Sequence, residues 1–291
     1  FGKFTYNPPM DVVKLLLEYE IEPDTEKDQY FLTDDTILKK MADYADLKKS
    51  DAVLEIGAGL GNLTRELAQK SGRVISFEID SGFKPVLGDL PRNVEIHFEN
   101  AWKHVQQGGK YRHRKEYNKV VSNLPYSFAE PFLHNLTFLE YDKVILMIPK
   151  KFLGKIDKNP ILSSFFTYKI LLEVDKENFY PIPKTNSVVI DLIQFPDPLK
   201  EKNLTMFLRQ QMYKHEDQKV KNSLMNAIIN YAKLVFDTRL TKNQAGKIIS
   251  ESGIYKELLG DTPNTSQIYD QVSDKLRDLK DSPQFYEIND V

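Results

Sequence analysis

Residues 52–80 read AVLEIGAGLGNLTRELAQKSGRVISFEID. Ala52 to Gly57 is a short apolar run of strand length. Gly57, Gly59 and Gly61 then recur at every second position, and Gly61 to Lys70 turns helical. Arg73 to Asp80 is a second apolar run. Strand, glycine turn, helix and strand in that order make one parallel βαβ unit. Glycines belong at such a turn because the chain closes tightly there and lets a ligand approach its backbone.

The alternation continues outward. Further strands are expected at 93–100 (NVEIHFEN), 118–123 (NKVVSN) and 143–148 (KVILMI), with a late one at 187–195 (SVVIDLIQF) after a proline-rich bend. Right-handed crossovers between parallel strands make the predicted fold a doubly wound, Rossmann-like α/β sheet. Upstream, Ile37, Leu38, Met41, Ala42 and Ala45 recur at helical spacing, with Thr33 or Asp34 as N-cap. Residues 1–28 read as an arm: Pro8-Pro9, an amphipathic run from Val12 to Tyr19, then acidic EPDTEKD. After FPDP (195–198) the strand signal stops and helical periodicity takes over. The expected division is an N-terminal arm (1–28), an α/β domain (29–197) and a small helical domain (198–291).

The 291 residues are 41% hydrophobic and 28% charged, which suits a globular chain with room for one large domain and a smaller one. Cysteine is absent, which excludes disulfides, thiolate metal sites and cysteine nucleophiles and fits a reducing, cytoplasmic setting. No apolar run approaches the length of about 18 residues that a membrane span requires. His97, His104, His113, His134 and His215 show no metal-ligand spacing, so no metal is expected. A net charge of −2 and a pI of 6.3 argue mildly against a general nucleic-acid binder.

Glu55-Ile56-Gly57-Ala58-Gly59-Leu60-Gly61 has the form E-x-G-x-G-x-G. Dinucleotide sites favour G-x-G-x-x-G, where a pyrophosphate meets the helix N-terminus. The form present here is common at sites for S-adenosyl-L-methionine, which has no phosphate. Glu78 ends the second strand about 20 residues after the first glycine, where a carboxylate accepts from ribose hydroxyls and Ile79 stands beside it. Asn100 and Ala101 close the third strand. The Asn100 carbonyl could accept from the cofactor's adenine amine, or Asn100 could be an ordinary turn residue. Trp102 either stacks on that adenine or fills the core.

Residues 120–132 read VVSNLPYSFAEPF. Asn123 ends the fourth strand at the sheet edge where open α/β folds bind ligands. The exocyclic amine of a base is a poor nucleophile because its lone pair is delocalised into the ring. Two acceptors for its hydrogens make the nitrogen more tetrahedral and aim that lone pair. Asn123 supplies one acceptor and the Leu124 carbonyl the other. Pro125 fixes the turn, and Tyr126 offers a flat face to a flipped base.

With these motifs the chain resembles the KsgA/Erm-type ribosomal RNA adenine N6-dimethyltransferases, over roughly residues 28–275. DQYFLTDDTIL (28–38) is similar to a family motif whose glutamine and phenylalanine-leucine line the cofactor pocket, here Gln29, Phe31 and Leu32. The glycine loop and Glu78 match the family's pattern, and Asn-Leu-Pro-Tyr is identical to its catalytic motif. FYPIPKTNSVV (179–189) resembles a segment beside the target base, which implicates Phe179 and Pro181. YKHEDQKVKNSL (213–224) is similar to the family's first C-terminal helical segment. The chain departs from the family in having Asn100 in place of an acid, Ser127 after the catalytic motif, LMIPKKFLGKI at 146–156, and Glu216-Asp217 where arginines are usual. The resemblance implies a class I methyltransferase fold acting on RNA.

Two stretches offer positive charge to a nucleic-acid backbone. Lys110, Arg112, Arg114, Lys115 and Lys119, interleaved with Tyr111 and Tyr117, either hold phosphates or form a solvated loop. Lys150 and Lys151 follow the fifth strand on the catalytic edge and are better placed to hold substrate. Arg209, Lys219 and Lys221 could add a helical rim. The leading expectation is an S-adenosylmethionine-dependent adenine N6-methyltransferase of structured, small-subunit ribosomal RNA, acting as a cytoplasmic monomer. A paralogue that methylates another RNA, a small amine or a protein is the second. A cofactor-binding ribosome-assembly scaffold is the third.

Overall fold

The computed structural model describes residues 12–106, 116–159, 161–196, 198, 204–215 and 218–251. Its elements in chain order begin with α1 (Val12–Glu18), β1 (Phe31–Leu32), α2 (Asp35–Tyr44), β2 (Ala52–Ile56), α3 (Asn62–Lys70), β3 (Arg73–Phe77), α4 (Lys84–Leu87), β4 (Val94–His97) and α5 (Trp102–Val105). There follow β5 (Lys119–Asn123), α6 (Tyr126–Leu136), β6 (Lys143–Pro149), α7 (Leu153–Lys158), α8 (Leu162–Phe165), β7 (Phe166–Val174), β8 (Phe179–Tyr180) and β9 (Ser187–Gln194). Helices α9 (Leu204–Lys214), α10 (Val220–Phe236) and α11 (Lys242–Glu251) complete the described chain.

Seven strands form one sheet in the order β4-β3-β2-β5-β6-β9-β7. Strands β2 to β6 pair in parallel, as the alternating pattern predicts. Both faces are covered. Val53, Val74, Val121 and Ile145 pack with Ile37, Met41, Leu63 and Leu67 of α2 and α3. Their strand neighbours Leu54, Ile75, Val120 and Val144 are equally buried, as residues of opposite faces are in a sheet sandwiched between helices. Asp34 caps α2, its carboxylate accepting from the Thr36 amide at 2.9 Å.

Four strands depart from the expected pattern. The late strand β9 is antiparallel to β6, Met147 facing Val189. β7 lies at the sheet edge, where Ile170 is left exposed; an edge strand lacks the apolar alternation that would reveal it. The two-residue strands β1 and β8 pair with each other, Leu32 opposite Phe179. Such short pairs carry almost no periodicity.

The chain divides into two compact units, Phe1–Gly154 with Tyr168–Ile193, and Lys155–Thr167 with Gln194–Val291. Within the second, Leu208, Leu224, Ile228 and Ile249 are buried, the Phe207 and Tyr231 rings lie 5.4 Å apart, and Gln210 donates to the Ser164 carbonyl at 2.9 Å. The helical expectation for 252–291 and the basic residues Lys110 to Lys115 lie outside the described residues. Among the described residues no helix is long and apolar enough to cross a membrane.

One local feature positions everything that follows. β2 and β3 pair at all five positions, but β2 and β5 pair only at Val53–Lys119 and Leu54–Val120. Beyond that point the two strands part. Ser122 bridges the gap: its hydroxyl donates to the Ile56 carbonyl at 2.6 Å and accepts from the Ile56 amide at 3.3 Å. Ser122→Ala leaves both buried backbone groups unpaired, a loss of about 1–3 kcal/mol. Chemical denaturation followed by circular dichroism is expected to show the lower midpoint; an unchanged midpoint would mean the gap closes without the hydroxyl.

Candidate active site

Where β2 and β5 part, the carboxyl ends of β2 to β5 open onto a cavity of about 570 Å³. This is the reversal point of the strand order, where α/β sheets bind ligands, and the volume suits a nucleoside-sized molecule. The loop after β2 forms one wall. Gly57 takes φ 84°, in the left-handed region, and a side chain there would meet the Pro125 ring at 3.4 Å. That distance is ordinary contact, so it is the left-handed backbone and not a lack of space that calls for glycine at 57. Gly59 takes φ 53°, likewise in the left-handed region, beside the Phe31 ring.

Glu78 is buried at the cavity wall. Its Oε2 accepts from the Gly59 amide and its Oε1 from the Asp80 amide, each at 2.8 Å. Burial raises its pKa and the backbone N–H donors oppose that shift. Each oxygen keeps lone pairs to spare. Ile79 follows, strongly exposed and lining the cavity. Asn100 and Ala101 also line it, and Asn100 Oδ1 accepts from the Trp102 amide at 2.9 Å. Trp102 packs edge-on against Phe128 and lies outside the cavity lining.

Asn123, Leu124, Pro125 and Tyr126 form the opposite wall. The Leu124 amide donates to the Met147 carbonyl at 3.2 Å, and the Phe128 amide to the Pro125 carbonyl at 2.9 Å. Among the described residues neither the Asn123 side chain nor the Leu124 carbonyl has a hydrogen-bond partner. The Tyr126 hydroxyl shares a hydrogen bond with Ser187 Oγ at 2.8 Å, and burial raises its pKa. Gln29, Phe31, Leu32 and Phe179 close the cavity from the β1–β8 side. Gln29 donates to Asp80 Oδ2 at 2.9 Å.

Five expected site residues are not brought to the cavity. Gly61 stands at the start of α3, and Pro181 lies beyond β8. Lys150 and Lys151 follow β6 on the surface, where Lys150 pairs with Glu173 at 2.8 Å, both side chains well exposed. Glu55 points the other way, into the sheet face under α3. Its Oε2 accepts from Thr64 Oγ1 at 2.7 Å and Ser76 Oγ at 2.6 Å. Strand alternation explains this: Glu55 shares a face with Val53, which α2 and α3 cover. Two residues of the basic run also serve the core instead of a ligand. Tyr117 is fully buried, and Lys119 donates to the Ala45 carbonyl at 3.1 Å.

Asp28, Tyr30 and Asp80 also line the cavity, and no sequence motif marks their roles. Asp28 accepts from the Ser127 amide at 2.7 Å, and the Tyr30 ring stacks on Tyr126. Asp28 closes the acidic run at 22–28, which reads equally as a solvated arm, and Tyr30 and Asp80 stand in segments whose pattern singles out their neighbours.

A family model described as "Ribosomal RNA adenine dimethylase" matches residues 24–257. The chain is 35% identical over 190 residues to the "Ribosomal RNA small subunit methyltransferase A" of Thermotoga neapolitana, covering 61% of this chain and 70% of that protein. Identity to the protein of the same description from Thermotoga maritima is 32% over 211 residues, covering 67% and 72%. The fold is similar to that of a dimethyladenosine transferase from Plasmodium falciparum, with a TM-score of 0.51 and 21% identity over 84% of this chain and 95% of that one.

Burial pushes the Glu55 carboxyl from its ordinary 4.5 up to about 7. Below about pH 4.5 the folded and unfolded chains both hold this proton. Between about 4.5 and 7 only the unfolded chain ionises, so stability falls as pH rises, by about 3 kcal/mol in all. Glu55→Gln removes that dependence. The stability difference between wild type and Glu55→Gln, from urea melts at pH 4.5 and 7.5, is expected to shift against the wild type at the higher pH. A difference independent of pH would refute the assignment.

Proposed function

We propose, for a chain that belongs to the ribosomal RNA adenine dimethylase family, that this cavity serves methyl transfer from S-adenosyl-L-methionine to the N6 amine of adenine in small-subunit ribosomal RNA. The observation that carries the reading is the pair of unpartnered acceptors, Asn123 Oδ1 and the Leu124 carbonyl, on a rigid turn facing the glycine loop.

The residues present suit the cofactor. Glu78 keeps acceptor capacity for two ribose hydroxyls, and Ile79 offers an exposed apolar surface to an adenine ring. Gly57 and Gly59 leave backbone open to close approach. Gln29, Phe31, Leu32, Asn100 and Ala101 complete the pocket. Bound there, the cofactor supplies an electrophilic methyl group on a positively charged sulfur.

The chain's own residues prepare the acceptor. Asn123 and Leu124 each accept one hydrogen of the amine, which draws its lone pair out of the ring's conjugation. Tyr126 and Phe179 offer aromatic faces to the base. As the nitrogen takes the methyl group it becomes strongly acidic and releases a proton to water, so no side chain is required as base. The turn supplies preorganised polar contacts at the reacting centre, and nothing in it has to reorganise as charge develops.

We assign residues 29–197 to methyl transfer, residues 198–291 to substrate recognition and 1–28 to an arm. Lys150 and Lys151, with Pro181, are taken as the substrate-facing edge. Lys219 and Lys221 are exposed at the start of α10 and add to a basic rim there. We take the protein to act as a monomer, and the cysteine-free composition suits the cytoplasm. The Lys150–Glu173 pair, which offsets positive charge on the proposed RNA path, favours a second reading: the same amine chemistry on another substrate.

Asn123→Ala is expected to leave cofactor affinity intact by calorimetry and to lower methyl transfer to undermethylated small ribosomal subunits by about a hundredfold. Equal losses in both would make Asn123 a structural residue. Lys150→Glu/Lys151→Glu is expected to keep cofactor binding, weaken RNA binding and flatten the salt dependence by about two units of slope. A wild-type slope in the double variant would move the RNA path elsewhere and strengthen the second reading.

A further inference from the structure

Helix α6 begins inside the catalytic motif, and its first amides lack partners within the helix. Pro125 at its N-cap offers no side-chain hydrogen bond. The carboxylate of Asp28, distant in sequence, takes the Ser127 amide at 2.7 Å. It thereby sets negative charge against the positive end of the helix. Asp28 adopts φ 58°, a left-handed conformation that aspartate tolerates better than most residues.

Two residues on, the Tyr30 ring stacks on Tyr126 with centroids 5.8 Å apart and planes 27° apart. The Tyr126 hydroxyl is held from the far side by Ser187. Gln29, between Asp28 and Tyr30, reaches away from them to Asp80, beside the acid Glu78. Alternate side chains of one short segment thus serve opposite walls of the cavity.

We infer that Asp28 and Tyr30 are positioning residues of the methyl-acceptor wall, an inference that rests on the methyl-transfer reading above. Asp28 fixes the start of α6, and with it the direction in which the Leu124 carbonyl points. Tyr30 holds one face of the Tyr126 ring and leaves the other to the base. Gln29 belongs to the cofactor wall. The segment therefore separates in function residue by residue: damage at 28 or 30 falls on turnover, and damage at 29 on cofactor affinity.

Asp28→Gly removes the carboxylate while remaining at ease with a positive φ, and Tyr30→Ala removes the ring. Each is expected to lower kcat on undermethylated small ribosomal subunits by about tenfold or more, with cofactor affinity within about twofold of wild type. Asp28→Asn keeps an acceptor and Tyr30→Phe keeps the stack, so both are expected to restore kcat to within about threefold. In cofactor-free protein, amide exchange at Ser127 is expected to quicken by about tenfold in Asp28→Gly and not in Tyr30→Ala. Parallel losses of cofactor affinity and kcat, or no rescue by the conservative variants, would overturn the positioning role. Unchanged exchange at Ser127 would overturn the contact itself. Wild-type protein that binds the cofactor but methylates no RNA would overturn the functional reading, and the exchange measurement would still judge the contact.

Discussion

Two central strands that part company are the condition on which this molecule rests. β2 and β5 share only two paired positions and then diverge. The opening has to be held at a fixed width, because the glycine loop grows from one strand and the Asn-Leu-Pro-Tyr turn from the other. Ser122 sets that width with one hydroxyl that both gives and takes a hydrogen bond at Ile56. One residue further along each strand, Gly57 and Asn123 face the cavity. A cavity bounded by strand ends is rigid because its walls continue hydrogen-bonded ladders, and rigidity is what a site built from a bare carbonyl and an amide oxygen requires.

The walls are further tied by polar contacts that leave chemistry to spare. Glu78 receives two backbone amides, yet its oxygens retain acceptor capacity. Asp80 receives Gln29 and Lys27. The lysine pair is exposed and screened, so its contribution is small; the glutamine bond, better shielded, fixes the N-terminal segment against the end of β3. Glu55 illustrates the opposite economy. It sits in the glycine motif but serves the interior, joining α3 and β3 through two hydroxyls. Burial favours its neutral form while the two hydroxyls favour the charged one, so the carboxyl fastening α3 titrates near neutrality.

Much of this was legible in the sequence because the signals are local. The four parallel strand pairs, the glycine turn and the helix at Asp35–Tyr44 each announce themselves within a dozen residues, through apolar runs, positive-φ glycines and an Asp34 cap. What stayed hidden depends on distant partners. Asp28 looks like one acid among several until Ser127 is seen beside it. β7 lacks the alternation that marks a half-buried strand, since its neighbours leave Ile170 in solvent. Glu55 was read by motif as a pocket residue, although the two-residue period of β2 already set it on the face of Val53. Tyr117 and Lys119 were read by composition, and composition does not distinguish a loop from the strand it enters.

The place of β9 in the sheet has a consequence in time. Strand order runs β6-β9-β7, so the last strand of the sheet to be synthesised lodges between two made earlier. Ser187, its first residue, is the group that holds the Tyr126 hydroxyl. A nascent chain that has released β2 to β7 from the ribosome has its glycine loop, Glu78 and the Asn-Leu-Pro-Tyr turn, but Tyr126 still lacks its tether. The site is thus finished by one of the last parts of the α/β sheet to emerge, and a chain broken off before β9 carries every residue of the catalytic motif without the contact that steadies its aromatic ring.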